Sequence, residues 1–449
     1  MHLFDSPRTT SLLLAQACLC GCIGCQPRST PPGKMTLVAS GDTAGWIVPC
    51  GCTANQSGGM LRRGTFIADK QEDGAVLYVD VGGAASGDSE YDRLKFEAIL
   101  TGEQQLEVAA HNLGGAELAF GADYLADIAG RTGAPLISCN TRKPDGSLVT
   151  RPSITVERAG RKFAIVGVVA TEYATSEIAV DPPLDAVRAA IGQLGKYDTL
   201  VVLGYLPEGE LLDLADNLPE ADLVLGGPTG QSVLPTRRGP TLVASATNKG
   251  KFIAVLDAPM GDAKTWDGKI VELGQDYGDD AEQRENLDAF YAKLEREDLS
   301  PRETSFVDDL PVAPPEGFRV AGNASCQKCH QQDCQFWDKS KHAHAWATLT
   351  TSGAHVDSYC QQCHTTGYGL PGGFVSRLTT PELVNVGCES CHGPSQAHAE
   401  TPQFKTAYAE QSRNQCITCH DRENSPRFNY DEYWQKIVHG TQPASAQSE

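Results

Sequence analysis

Four copies of Cys-x-x-Cys-His follow one another in the last third of the chain: Cys326/Cys329/His330, Cys360/Cys363/His364, Cys388/Cys391/His392 and Cys416/Cys419/His420. Two thiols on one tight turn can reach the two vinyl groups of a haem as thioethers, while the adjoining imidazole is delivered to the iron. A single copy would read as readily as a zinc knuckle, a disulfide or a redox pair. Four copies, each with its trailing histidine, point to four covalently bound haems c. The eight cysteines are the expected thioether residues, and His330, His364, His392 and His420 the expected proximal iron ligands.

The second axial position can be filled by methionine or histidine. The four methionines are Met1, Met35, Met60 and Met260, all far from these motifs. Histidine remains, and His342, His344, His355, His398 and His439 are the distal candidates. His342 and His344 stand two residues apart and compete for one role, with His342 preferred. Cys334 is left over and is expected to be a buried free thiol.

The elements that carry these residues differ along the chain. Residues 1–25 read as an export signal: Arg8 precedes an apolar stretch, Ser11 to Gly24, too short to cross a bilayer. The run Cys18, Cys20, Cys22, Cys25 resembles a lipoprotein processing site, so Cys22 or Cys25 is the expected lipid anchor. Residues 26–35 are a tether. No later segment has the roughly 18 apolar residues of a membrane helix. Over residues 36–305, apolar runs (37–39, 76–79, 163–169, 200–203, 223–225, 252–256) alternate with helical stretches, which predicts α/β architecture with layered sheets. Leu287, Phe290, Tyr291 and Leu294 make an amphipathic helix of 279–299. The Pro-rich stretch within 306–319 reads as a linker. Residues 320–441 form a small, mainly α and irregular haem domain, short of core residues and in need of another source of stability. Residues 442–449 are an expected disordered tail.

The formal charge of −20, from 37 Lys and Arg against 57 Asp and Glu, argues against nucleic acid as a partner. Redox partner proteins are the expected ones. From Glu316 onward ten basic residues face thirteen acidic ones, so the excess lies in the larger N-terminal part.

Around the motifs the sequence becomes specific. Trp337-x-x-Ser340-x-His342-Ala343-x-Ala345, the run Gly387 to Pro394 with His398 six residues past His392, and Ser425-Pro-x-Phe428 followed by Tyr433 and Ile437-Val-His439-Gly440 resemble the cytochrome c-554-like tetrahaem family. The resemblance covers about 320–441. It implies closely stacked haems that pass electrons over short steps, in a family that admits members with one five-coordinate iron.

The region from Leu37 to Asp257 resembles the metal-dependent phosphoesterase domain of the 5′-nucleotidase superfamily, through Ser40–Gly45, Gly58–Arg63, Val79–Gly83, Asn112–Gly121 and Leu223–Gly230. The ligands are missing. Where the family has its first-motif histidine this chain has Ala44, and Gly83 replaces the bridging aspartate. Gly115 and Ala116 stand for the Asn-His pair, Tyr205 falls at or beside the next histidine, and Pro228 and Gly230 replace the last two. Asp42 alone survives, and one carboxylate cannot hold two metals. His111 is expected to be structural. Cys50, Cys52 and Cys139 form a candidate thiol site, as a redox pair, a soft-metal site or a structural disulfide. The sequence therefore predicts an extracytoplasmic electron carrier with a silent phosphoesterase-like domain. The alternatives are a redox enzyme acting on a small nitrogen or sulfur oxide at one open haem, and a metal-dependent hydrolase.

Overall fold

The computed structural model describes residues 34–49, 56–261, 264–307, 314, 316–409 and 412–440. The export signal, most of the tether, Cys18, Cys20, Cys22, Cys25, Cys50, Cys52, the middle of the 306–319 linker and the C-terminal tail lie outside them.

The apolar runs become strands. In the first half these are β1 (Lys34–Ser40), β2 (Ala75–Asp80), β3 (Ala110–Asn112), β4 (Leu136–Ile137), β5 (Thr141–Arg142), β6 (Ser153–Arg158) and β7 (Arg161–Val169). The second half adds β8 (Ala179–Val180), β9 (Thr199–Tyr205), β10 (Leu223–Gly227), β11 (Val233–Arg238), β12 (Thr241–Ser245), β13 (Phe252–Pro259) and β14 (Asp267–Glu272). One six-stranded sheet runs β14-β13-β1-β2-β3-β4 and a second β11-β12-β10-β9-β7-β6, with β5 and β8 as a small separate pair. The central strands of both sheets are parallel, and the pairs β1–β13, β13–β14, β11–β12 and β6–β7 are antiparallel.

The sheets pack face to face. Leu37, Leu77 and Val79 of the first meet Phe163, Ile165, Val201, Leu203, Leu223 and Leu225 of the second. Successive side chains of a strand point to opposite faces, so the alternate residues must be covered too. On β9, Val201 and Leu203 face the other sheet, while Leu200 and Val202 lie under the helices Pro183–Ile191 and Glu208–Asp216. All of β9 is consequently buried. The outer face of the first sheet is covered by the helices Met60–Asp73, Glu90–Gln105 and Ala281–Glu297. The result is a four-layer α/β sandwich. The helix expected at 279–299 runs from 281 to 297, is capped by Asp280 accepting from the Gln283 N–H at 2.9 Å, and buries Leu287, Phe290 and Leu294. Strands β6, β11 and β14 carry too many polar residues to stand out as apolar runs; they are edges with one face in water.

From residue 33 on, the chain is one compact unit. The haem-motif segment consists of short helices, none longer than eight residues, around a small cluster of Val320, Trp346, Leu349, Ala354, Tyr368, Phe374 and Leu383. It packs on the sandwich through aromatic rings, of which Tyr91 is buried and Trp46, Phe306 and Tyr359 are half-buried. Tyr91 donates to Asp357 at 2.5 Å, Trp46 meets Tyr359 edge-on at 5.3 Å, and Phe306 touches both Tyr91 and Tyr359. Lys249 pairs with Glu423 and lies over the Trp46 ring.

Beneath the sheet ends lies a buried charged network. Arg63, Asp80, Glu103, His111 and Glu117 have no exposed surface. The Arg63 guanidinium reaches Thr43 Oγ1 at 2.7 Å and lies 3.5 Å from Glu103 and 3.7 Å from Asp80. His111 Nδ1 meets Glu103 Oε2 at 2.6 Å. Burial alone would discharge His111, but the charge and hydrogen bond of Glu103, with Asp80 and Glu117, lift the imidazole to about 9. Burial and the charge of Asp80 raise Glu103 to about 7 against the pull of His111 and Arg63. Both groups therefore keep protons in the folded state at pH values where the unfolded chain has lost them, and stability falls as pH rises through those values. For His111 that fall is expected between its ordinary range and about 9. Thermal unfolding across this range should show a falling Tm, and His111→Gln should remove most of the slope; a flat wild-type profile would contradict the assignment.

Candidate functional site

The four motifs are placed by helical turns. Cys326 lies in the helix Asn323–Gln327, and the second motif lies in the helix Ser358–His364, capped by Asp357. The third closes the short helix Glu389–His392, and the fourth occupies a 3-10 stretch, Ser412–Thr418, and the turn after it. The His330, His392 and His420 N–H groups each donate to the carbonyl of the first cysteine of their motif, at 2.9, 3.0 and 2.9 Å. One helical turn thus brings the imidazole back beside its own thiols. The Cys326 and Cys388 thiols lie within hydrogen-bond reach of each other, as do those of Cys363 and Cys419. The first motif is therefore neighbour to the third, and the second to the fourth.

The imidazoles meet in pairs. Ring centroids are 6.3 Å apart for His330 and His398, 5.9 Å for His392 and His439, and 5.9 Å for His420 and His342. The first two pairs line a cavity of about 670 Å³ together with Cys326, Cys329, Cys388 and Cys391. Nδ1 of His364, His398 and His439 bonds to the carbonyls of Ala345, Phe404 and Ile437 at 2.7, 2.7 and 2.8 Å, and Nδ1 of His420 to Ser425 Oγ at 2.8 Å. Such bonds orient the ring and leave Nε2 for a metal. Burial pushes His342, His364, His392 and His420 below the usual imidazole range, towards the neutral form that ligates. These side chains fit haem: paired thiols beside a neutral imidazole, a facing ring, and a cavity with mostly apolar walls.

The remaining candidates sit apart from the pairs. His344 is exposed and bonds through Nε2 to the Asp338 carbonyl at 2.8 Å. His355 packs edge-on against Trp346, and its buried Nδ1 has no partner. Among the described residues no imidazole ring stacks against His364. Cys334, expected to be buried, is only half-buried and borders the 670 Å³ cavity, because its helix Gln331–Trp337 forms one wall.

The sheet ends bring together the positions of the second resemblance. The Asp42 N–H bonds to the Gly82 carbonyl and Ala44 N–H to the Gly83 carbonyl, both at 2.8 Å. Asp42 itself accepts from Thr247 Oγ1 and from the Asn248 N–H. The space in front of it is filled. A Cβ at Gly83 would lie 2.5 Å from the Tyr205 ring, and one at Gly115 2.4 Å from the Tyr173 ring. The two rings lie 5.3 Å apart. A dinuclear metal centre does not fit these residues, since aromatic rings stand where ions and carboxylates would be. Sequence reasoning passed over Glu117, whose Oε1 accepts from the Ala84 N–H at 2.6 Å, and the Arg63–Glu103–His111 network. The buried Asp80 and Arg63, inside segments already singled out, were the available signal. Cys139 is buried with a free thiol, and burial lifts it to about 12, unsuited to thiolate chemistry.

Comparison with known proteins finds two kinds of relative. Residues 325–393 match the family model described as cytochrome c554 and c-prime. A 90-residue stretch is 32% identical to cytochrome c-554 of Nitrosomonas europaea, covering 17% of this chain and 38% of that protein. The fold resembles a 5′-nucleotidase precursor from Thermus thermophilus (TM-score 0.51, 20% identity, 59% of each chain). It also resembles the sulfate thiohydrolase SoxB of Thermus thermophilus (TM-score 0.50, 17% identity, 60% of this chain and 62% of that one). This chain thus spans less than two thirds of each of these proteins, and at such identity the two structures bear on fold alone. The C-terminal segment resembles the cytochrome c-554-like family, and it is joined to an α/β body of 5′-nucleotidase type.

Proposed function

We propose that this chain is an extracytoplasmic electron carrier with four covalent haems c on a catalytically silent phosphoesterase-like body. The observation that carries the reading is the set of three imidazole pairs. Two imidazoles that hold one metal ion between them would have ring centroids about 6 Å apart. The observed 5.9–6.3 Å supports His398 as the distal partner of His330, His439 of His392 and His342 of His420. The neighbouring thiols of first and third motifs, and of second and fourth, support haems close enough to exchange electrons over short steps. The protein's part is then to bind, orient and shield; the redox chemistry is that of the iron. The apolar Ser11–Gly24 stretch and the cysteines after it support export with a lipid anchor at Cys22 or Cys25. No helix among the described residues is long and apolar enough to cross a membrane. Redox proteins are the proposed partners.

The Tyr173 and Tyr205 rings support silence of the body. Phosphodiesterase and nucleotidase assays with added manganese or zinc are expected to show no turnover. Turnover abolished by Asp42→Ala would contradict this.

A second reading is favoured by His364, against which no imidazole ring stacks among the described residues. One five-coordinate haem there could act on a small nitrogen or sulfur oxide. Low-temperature EPR of the oxidised, fully loaded protein separates the two roles. The electron-carrier reading expects four low-spin irons; three low-spin irons and one high-spin iron, the high-spin signal lost on adding cyanide, would favour the enzyme. Four low-spin irons would mean that His355 or another ligand closes the His364 site, leaving electron transfer alone.

A further inference from the structure

The haem segment holds a buried carboxylate, Glu389. Glu389 lies between the two cysteines of the third motif and is only 1% exposed. Its oxygens accept from the Ala321 N–H at 2.9 and 3.1 Å, the Gly322 N–H at 2.7 Å and the Ser395 N–H at 2.7 Å. Ala321 and Gly322 lead into the helix that carries Cys326, and Gly322 caps it with a left-handed φ of 78°. Ser395 lies three residues before His398. One side chain thus ties together the first motif, the third motif and the turn bearing a proposed axial ligand. Asn323 adds a parallel tie, its Oδ1 accepting from the Cys388 N–H at 3.0 Å.

All of these partners are donors. Burial raises the Glu389 carboxyl above the usual carboxylate range, and the three N–H donors oppose that by favouring the ionised form. No lysine or arginine among the described residues forms an ion pair with it. A negative charge in such surroundings is poorly screened and disfavours an added electron on nearby iron. We propose that Glu389 is a positioning and potential-setting residue, clamping the first and third haem-attachment segments to each other and lowering the reduction potential of the haems bound there.

This rests on the multihaem reading, and the test separates the two. Wild-type protein and Glu389→Gln, both full-length and mature, are compared by redox titration followed in the haem absorption bands. Wild-type protein without covalent haem would sink the functional reading before any variant is considered. With haem present, Glu389→Gln is expected to keep all four haems and to raise the potential of two of them. The reduction equilibrium of those two should shift about tenfold, or about 59 mV for a one-electron couple. A full haem load with unchanged potentials overturns the proposal. If Glu389→Gln takes up no haem, Glu389→Asp, which keeps the charge, decides: four haems and an unshifted titration are expected. Loss of haem from Glu389→Asp as well would make side-chain length rather than charge decisive, and overturns the potential-setting role.

Discussion

The haem segment has very little to hold it together by itself. Its apolar cluster runs from Val320 through Trp346 and Phe374 to Leu383, its helices are at most eight residues long, and Phe404, Ile417 and Leu378 are left largely exposed. A stretch of that size cannot bury enough apolar surface to offset the entropy of ordering it. Two other sources of order are visible. One is the set of inward-facing thiols and imidazoles, whose spacing suits large flat apolar groups. The other is the α/β body, against which Tyr359, Asp357 and Glu423 pack through Trp46, Tyr91 and Lys249. The body in turn owes its rigidity to two sheets buried on both faces.

The α/β body, of 5′-nucleotidase type in fold, offers the haem segment a docking face. Loops at the carboxyl ends of parallel strands are where α/β proteins place their chemistry. In this chain the same loops supply Trp46 and Lys249 as docking residues for the second and fourth motif segments. Tyr173 and Tyr205 fill the interior, and the Arg63–Glu103–His111 network balances charge beneath it.

Much of this was legible in the sequence, for reasons that differ by residue. The haem motifs are local, so their spacing alone carries the chemistry. The His342 ring faces His420, and His344 turns outward to the Asp338 carbonyl, a difference that two residues of spacing do not reveal. Apolar runs revealed the central strands, because parallel strands covered on both faces cannot afford polar residues. The edge strands β6, β11 and β14 escaped notice because half of each lies in water. Which histidine faces which was not legible, since His398 and His439 are brought to His330 and His392 by tertiary folding. Nor was the role of Phe306 at the start of the expected linker: it is wedged between Tyr91 and Tyr359, so order there comes from packing on both sides.

The central claim is that this chain carries four covalent haems, and intact-mass spectrometry of the mature protein after denaturation tests it most directly. Thioether-bound haem survives denaturation, so the account predicts the mass of the processed chain plus four haems. Alanine in place of Cys360 and Cys363 should remove one. A wild-type mass without haem, or with bound zinc at the motifs under native conditions, would contradict it.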